Sequence, residues 1–232
     1  MNLPPNPRAP IEGLIRQGDL EGLLRKAGEL HGHFCPFVAF GVRAGYLALT
    51  VLGIEQNLGM EEVLAIVETN NCFSDGIQVV TGCTFANNAL IYRDLGKTAV
   101  TVTKRDGAAA RVALRADYNQ GFDARYPEAA ALFANIVRDR QEPTPEEQAR
   151  LTELWAETSA GQLDVPAEKL FTVQKQQIEV PAYAPIFASV TCALCGENVM
   201  ESRARLVDGQ PACLACASAA VCQLDGSGIH VV

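Results

Sequence analysis

The sequence predicts a mixed chain of helices and strands followed by a small cysteine-rich domain. Three observations carry this prediction: a nearly uncharged helical segment at residues 36–54, two strand-like segments around an Asp-Gly turn at residues 106–107, and two Cys-x-x-Cys pairs near the C-terminus. With 232 residues and 48% hydrophobic content, the chain can form one domain with a substantial core and a small appendage. We therefore expect one domain at residues 1–185 and a second at residues 190–232.

The N-terminal residues predict a disordered lead followed by one or two amphipathic helices. Residues 1–10 are rich in proline, and such a chain terminus is expected to be poorly ordered. Apolar residues then recur at helical spacing over residues 11–30. Gly18 and Asp19 interrupt that pattern, and Asp19 is a suitable N-cap for a second helix.

The apolar segment at residues 36–54 is about as long as a membrane span, yet we expect it to form a buried core helix. It contains Arg43 and two further polar side chains at helical spacing from that arginine. Gly41 and Gly45 lie one turn apart and would let a second backbone approach closely. That backbone can belong to the same subunit or to the partner in a dimer.

The middle of the chain predicts several strands and helices. Residues 63–68 indicate a buried strand, and helix-start signals follow at Ser74 and Asp75. Residues 97–104 and 109–115 predict a hairpin, because Asp-Gly favours a tight turn. The later elements expected are a helix at residues 126–138, a second helix with Thr144 as its N-cap, a strand at residues 170–180 and a connecting segment at residues 163–189.

Two Cys-x-x-Cys pairs near the C-terminus predict a structural zinc site. Cys192 and Cys195 form the first pair, Cys213 and Cys216 form the second, and about seventeen residues separate them, a spacing typical of such sites. Four thiolates complete a tetrahedron around zinc and leave no open position, so the expected role is in folding. Cys222 lies outside this pattern, and the sequence assigns it no role.

A second group of potential metal ligands lies in the string HGHFCP at residues 31–36. His31, His33 and Cys35 alternate, so an extended segment would direct all three side chains to one side. Cys35 precedes a proline that can open a helix. A thiol at a helix start is expected to have a lowered pKa, which favours a thiolate that binds a metal or acts as a nucleophile.

Cys72 and Cys83 bracket the short helix headed by Asp75, and we expect them to reach the same point as the HGHFCP segment. Imidazole and thiolate together suit zinc or another late transition metal. The alternative is that these free cysteines are buried as small hydrophobic residues. The sequence does not decide which histidine binds the metal.

Several of these motifs together resemble the FmdE-type family, whose members are related to a component of formylmethanofuran dehydrogenase. The resemblance rests on HGHFCPF, VETNNCFSDGIQVVTGCTFANNAL and DLGKTAV, and it spans about residues 15–185. It implies an α+β domain with a twisted, mostly antiparallel sheet packed with helices. It also implies a homodimer and a His and Cys cluster that binds a metal in a cleft. The two Cys-x-x-Cys pairs are similar to the zinc-binding tail that some members add.

The resemblance leads to three hypotheses. In the first, the chain is a metal-binding accessory protein for a molybdenum- or tungsten-type oxidoreductase, or for one-carbon metabolism in an anaerobe. In the second, it is an enzyme whose N-terminal metal has an open position, with Asp75 as general acid or base and Cys35 as a further reactive group. In the third, it is an interaction protein in which only the C-terminal zinc is real.

Charge and composition exclude some classes of partner. The net charge is −8, and a nucleic-acid-binding face normally shows clustered Lys and Arg. We therefore expect no nucleic-acid partner. The segment at residues 1–10 lacks the apolar centre of a secretory signal, so a cytoplasmic location without a membrane partner is expected.

Overall fold

A computed structural model of the chain describes residues 4–232. The chain divides between Pro181 and Ala182 into two units. The larger unit combines helices with a five-stranded sheet, and the smaller unit contains three two-stranded sheets. This mixture confirms the predicted α+β class. Within residues 4–232, the helices all fall short of the length and apolarity that crossing a membrane requires.

The larger unit begins with helices and ends with an edge strand. Its helices are α1 (Ala9–Gln17), α2 (Leu20–His31), α3 (Pro36–Leu52), α4 (Phe73–Thr81), α5 (Ala116–Gln120), α6 (Phe122–Arg125), α7 (Pro127–Phe133), α8 (Pro145–Gly161) and α9 (Ala167–Leu170). A π-helical turn, Ala134–Arg138, extends α7. Its strands are β1 (Val63–Val67), β2 (Leu90–Tyr92), β3 (Ala99–Lys104), β4 (Ala108–Leu114) and β5 (Phe171–Gln177).

The sheet of the larger unit has the strand order β2-β1-β3-β4-β5. β2 runs parallel to β1, and all other neighbours are antiparallel. Ala65 pairs with Val102, Val102 with Ala110, and Ala110 with Lys175 across four strands. α3 packs against β3 and β4 and contributes Phe40 to the buried core. The mostly antiparallel sheet therefore agrees with the expectation.

Glycines allow α3 and α4 to pack with their backbones in contact. A Cβ atom at Gly41 would lie 2.0 Å from the carbonyl oxygen of Phe73, and one at Gly76 would lie 2.5 Å from that of Val38. The close approach predicted for the glycines of the core helix is therefore made within the chain. It fixes the N-terminal ends of both helices relative to each other.

Local signals in the sequence are confirmed at three places. The Asp19 carboxylate accepts a hydrogen bond from the Gly22 N–H at 2.8 Å and caps α2. Thr144 and Glu147 form a capping box at the start of α8. The Asp-Gly turn joins β3 and β4 as an antiparallel hairpin. These features depend only on neighbouring residues, which explains why the sequence shows them.

The expected disordered lead is wrong for its second half. α1 already begins at Ala9, and the Arg8 guanidinium donates hydrogen bonds to the carbonyl oxygens of Val79 (3.1 Å) and Val80 (3.0 Å). These carbonyls lie in the last turn of α4, where a cation is favoured. Residues 1–3 of the expected lead lie outside the described residues.

The expected connecting segment at residues 163–189 is also shorter than predicted. β5 pairs along its whole length with β4, from Phe171 opposite Leu114 to Gln177 opposite Ala108. In the segment that precedes β5, the carbonyl oxygens of Gln162 and Val165 accept hydrogen bonds from Arg43 of α3. Residues 163–177 therefore belong to the folded larger unit, where Leu170 and Phe171 are buried and most of β5 is exposed.

Replacing Arg8 with methionine should lower the free energy of unfolding by about 2 kcal/mol, because two charge-assisted hydrogen bonds are lost while the apolar stem is kept. Urea denaturation followed by circular dichroism measures this change. Arg16→Met is the matched control, since Arg16 is exposed near the far end of α1 and should change stability by less than about 0.5 kcal/mol. Equal effects of the two variants would show that the Arg8 contacts do not anchor α4.

Candidate metal sites

The ends of two helices place the HGHFCP segment at the N-terminus of α3. Gly32 adopts a left-handed conformation with φ 88° and ends α2, since its N–H donates to the Gly28 carbonyl at 2.8 Å. Cys35 is the N-cap of α3 with an extended backbone, and Pro36 occupies the first turn. His31 is thus the last residue of α2, and His33 lies in the turn between the two helices.

Cys72 joins the HGHFCP segment from the loop that precedes α4. It precedes α4, and the loop before it is held by the Asn71 side chain, which accepts a hydrogen bond from the Phe73 N–H at 3.0 Å. The Ser74 hydroxyl donates to the Thr69 carbonyl at 2.6 Å. Because α3 and α4 are in backbone contact, the Cys72 thiol lies beside the start of α3.

The structure brings four of the predicted ligands together. One potential donor atom from each of His31, His33, Cys35 and Cys72 lies within 4.8 Å of the other three. Two thiols and two imidazoles form a donor set that suits zinc or another late transition metal. We call these four residues the first metal site.

Asp75 orients His31 within this cluster. Its Oδ2 lies 2.7 Å from His31 Nδ1, and its Oδ1 accepts a hydrogen bond from the Gln78 side chain at 2.9 Å. The other ring nitrogen, Nε2, is buried and has no hydrogen-bond partner within residues 4–232. A histidine that gives one nitrogen to a carboxylate and keeps the other free is typical of metal ligands.

The neighbouring thiols of Cys35 and Cys72 shift each other's pKa in opposite directions. Their mutual hydrogen bond lowers the pKa of Cys72 to about 6, with a further contribution from His31. The same hydrogen bond, together with burial, raises the pKa of Cys35 far above its usual range. The expectation of a lowered pKa at Cys35 is therefore wrong without a metal, because the thiol with the lowered pKa is that of Cys72.

Cys83 lies outside this cluster, contrary to the expectation. Its buried thiol donates to the Val63 carbonyl at 3.4 Å and lies 3.7 Å from the Asn57 amide nitrogen. Burial raises its pKa to about 11. α4 spans nine residues, so Cys72 and Cys83 are separated by roughly 13 Å of helix. Cys83 is thus a buried, protonated thiol of the core.

Trp155 also lies beside this cluster, although no signal in the sequence indicates it. The His33 ring lies between the His31 ring, at 4.4 Å between centroids, and the Trp155 ring, at 5.3 Å and nearly parallel. The pKa of His33 is lowered by burial and by the neighbouring His31, which favours the neutral ring that a metal ligand requires. Trp155 comes from α8, far along the chain, so no local pattern links it to the histidines.

The smaller unit contains the second cluster. Its strands are β6 (Ser189–Thr191), β7 (Asn198–Met200), β8 (Ala204–Val207), β9 (Gln210–Cys213), β10 (Cys222–Asp225) and β11 (Gly228–Val231), with a short 3-10 helix at Glu201–Arg203. They pair as three antiparallel hairpins. Only two apolar residues of this unit, which is described in full, are buried, namely Cys192 and Ala212.

The four predicted zinc ligands lie together in this unit. One Sγ atom from each of Cys192, Cys195, Cys213 and Cys216 lies within 4.8 Å of the others. Cys192 Sγ accepts a hydrogen bond from the Cys213 N–H at 3.3 Å, and Cys213 Sγ accepts one from the Cys216 N–H at 3.4 Å. Backbone N–H groups lower the pKa of Cys192 to about 6. Cys222 is exposed and lies outside the cluster.

These features define an α+β metal-binding protein with an appended four-cysteine zinc module. A family model described as "FmdE, Molybdenum formylmethanofuran dehydrogenase operon" matches residues 30–172, and a "Prokaryotic dksA/traR C4-type zinc finger" matches residues 185–221. The chain belongs to the FmdE family. This result confirms the resemblance seen in the sequence motifs and the zinc-finger character of the C-terminal unit.

Two known proteins are similar to this chain, one in sequence and one in structure. A "Probable S-adenosyl-L-methionine-binding protein" of Archaeoglobus fulgidus is 43% identical over 205 residues, which is 87% of this chain and 54% of that protein. The chain therefore spans about half the length of this relative. The crystal structure of a tungsten formylmethanofuran dehydrogenase FmdE-like protein from Syntrophus aciditrophicus has a TM-score of 0.55 at 22% identity, covering 85% of this chain and 91% of that one. This second similarity supports the fold.

Proposed function

We propose that the first metal site binds one zinc ion or another late transition metal, and that the protein serves as a metal-binding accessory protein of a molybdenum- or tungsten-type oxidoreductase. The observation that carries the metal site is the buried Nε2 of His31, which has no partner within residues 4–232 and lies beside two thiols. Burying such a nitrogen without a hydrogen bond costs about 1–3 kcal/mol. A metal ion would satisfy it and would take up both sulfur atoms as thiolates.

Asp75 supports this site as an orienting residue. Its carboxylate holds the proton on His31 Nδ1, so the Nε2 lone pair is directed to the metal. The hydrogen bond from Gln78 fixes the carboxylate in turn. Both oxygens are thus engaged, and this arrangement favours a supporting role for Asp75 over that of a general acid or base.

The complete donor set favours an accessory role over catalysis. Four protein ligands fill the coordination sphere of zinc, whereas a catalytic zinc keeps one position for water or substrate. The proposed partner class is supported by the family description. The name of the Archaeoglobus protein describes a chain of which about half lies outside the match, so it does not support a ligand for this chain. A cytoplasmic homodimer remains part of the proposal.

Metal content per chain tests the first site. Full-length protein purified under anaerobic conditions should contain two metal ions by elemental analysis, and Cys72→Ser should contain one. Cys83→Ser is the matched control and should keep both, because Cys83 lies in the core away from the cluster. Two metal ions in the Cys72→Ser protein would contradict the site.

Asp75→Asn should leave the metal count at two but weaken the first site by roughly 10- to 100-fold, because the charged orienting group is lost. Competition with a chromophoric chelator measures the affinity. Gln78→Ala should weaken the site less, since it removes only one hydrogen bond to the carboxylate. Unchanged affinity in Asp75→Asn would show that the contact with His31 does not support the metal.

The accessory role needs a genetic experiment. Deleting the gene should lower the activity of the molybdenum or tungsten oxidoreductase of the same organism without lowering the amount of its polypeptide. Complementation with Cys83→Ser should restore activity, and complementation with Cys72→Ser should fail. If Cys72→Ser fully restored oxidoreductase activity, the accessory role would not depend on the first metal site.

A further inference from the structure

The four donors of the first metal site are not held equally. Cys35 is buried at the N-cap of α3, and Cys72 is held at the start of α4 by the packing of the two helices. His31 is fixed by Asp75, and its side chain is 13% exposed. His33 is exposed, and its ring makes no hydrogen bond within residues 4–232. Three donors are therefore anchored, and the fourth is held by ring contacts alone.

Trp155 is the ring that holds His33 from outside the cluster. The two rings lie at an interplanar angle of 27°, a stacked arrangement. Stacked aromatic pairs contribute modestly beyond the area that they bury. His33 is thus held more weakly and more reversibly than the other three donors.

The position of Trp155 is itself set by a buried network at the end of α8. The Gln162 side chain accepts a hydrogen bond from the Tyr118 hydroxyl at 2.6 Å and donates to the Tyr126 hydroxyl at 3.0 Å and to the Thr158 carbonyl at 2.8 Å. Arg43 of α3 binds the Gln162 carbonyl. This network holds the end of α8 against α3, and Trp155, about two turns earlier on α8, stacks on His33.

Charge decides which kind of ligand can replace His33. Two thiolates neutralise a divalent metal ion, and the Asp75 carboxylate lies directly behind His31. A further anion would bring excess negative charge to a partly buried site. A neutral nitrogen donor does not, and it suits the same metals as an imidazole.

We propose that His33 is an exchangeable ligand, that Trp155 sets how firmly it is held, and that a neutral nitrogen donor enters the coordination sphere when His33 leaves. This inference rests on the metal site proposed above. It gives the site a closed form with four protein ligands and an open form with three.

Cadmium-113 NMR of the full-length protein with imidazole as probe tests this inference. Cadmium bound by four sulfurs resonates apart from cadmium bound by sulfur and nitrogen, so the two sites give separate signals. Imidazole should shift the first-site signal and leave the four-cysteine signal unchanged. The dissociation constant for imidazole should fall roughly three- to tenfold in Trp155→Ala, the ratio expected for losing one stacked pair.

Three further variants complete the experiment. Trp155→Phe keeps a smaller ring and should give an intermediate dissociation constant. Phe133→Ala removes an aromatic ring that contacts Trp155 at 6.0 Å but has no ring contact with His33, and it should behave as wild type. His33→Ala should retain its first-site cadmium and bind imidazole more tightly than wild type. Because Trp155 is the only tryptophan, its fluorescence should change over the same imidazole range in wild type.

The possible failures can be told apart. Absence of any first-site cadmium signal in wild type would refute the proposed metal site itself. A first-site signal that imidazole never shifts, or equal imidazole binding in wild type, Trp155→Ala and Trp155→Phe, would refute the exchange while leaving the metal site intact. Loss of first-site cadmium in His33→Ala would make His33 a permanent ligand and would also overturn the inference.

Discussion

Gly41→Ala should destabilise the larger unit by about 3 kcal/mol or more, at the upper end of the usual cost of overpacking. The added Cβ would lie 2.0 Å from the Phe73 carbonyl oxygen and 2.9 Å from its carbonyl carbon. These are backbone atoms, so relief requires α3 and α4 to move apart. Because the two helices present Cys35 and Cys72, the first metal site should be lost together with stability. Thermal unfolding and metal analysis measure both effects.

Gly13→Ala is the control with the opposite sign. Gly13 also lies within a helix, and an added Cβ there meets no described atom within 4 Å. Alanine should therefore stabilise the protein by about 0.5–1 kcal/mol through its higher helix propensity. If Gly41→Ala left stability unchanged, the close packing of α3 on α4 could not be what fixes the thiol positions.

Cys213→Ser should unfold the smaller unit. Structural zinc sites of small modules supply about 10–16 kcal/mol of binding free energy that is also folding free energy. This unit buries only Cys192 and Ala212 among its apolar residues, so it has little other core. Metal analysis should show one metal ion in place of two, and limited proteolysis should cut within residues 190–232.

Cys222→Ser provides the matched control within the same unit. Cys222 is exposed on β10 and lies outside the cluster, so the variant should keep both metal ions and resist proteolysis as wild type does. Protease resistance of Cys213→Ser would mean that the hairpins of the unit are stable without a fourth thiolate.

Much of the fold follows from short-range signals. The caps at Asp19 and Thr144 and the hairpin at Asp106 involve residues within a few positions of each other. The local sequence is therefore enough to predict them. β2 is different, because only three residues form it and it pairs in parallel with β1 across an intervening helix. No local pattern distinguishes such a strand from a loop. A strand in the region of β5 was predicted, but its place at the edge of the sheet depends on pairing with β4, which the local sequence does not specify.

The first metal site shows the same division. His31, His33 and Cys35 are neighbours in sequence, and Cys72 follows a polar loop, so their types and spacing indicated ligands. Cys83 lies at the far end of α4 from Cys72, where its thiol is buried against the Val63 carbonyl, and that placement is a property of the whole fold. Trp155 reaches His33 only because α8 packs on α3. No pattern in the sequence of either helix indicates this long-range contact.

The glycine contact between α3 and α4 has a consequence for the choice of metal. Since backbone contacts at Gly41 and Gly76 fix how closely α3 and α4 approach, moving Cys35 and Cys72 apart to suit an ion of different stereochemistry would require the two helices to separate. Intrinsic affinities rise toward copper across the first transition series, so selection must come from geometry and supply. A rigid pair of sulfur atoms with two imidazoles penalises ions that demand a square plane or six ligands. In the proposed site, the helix packing would thus select among the metal ions that the protein can retain.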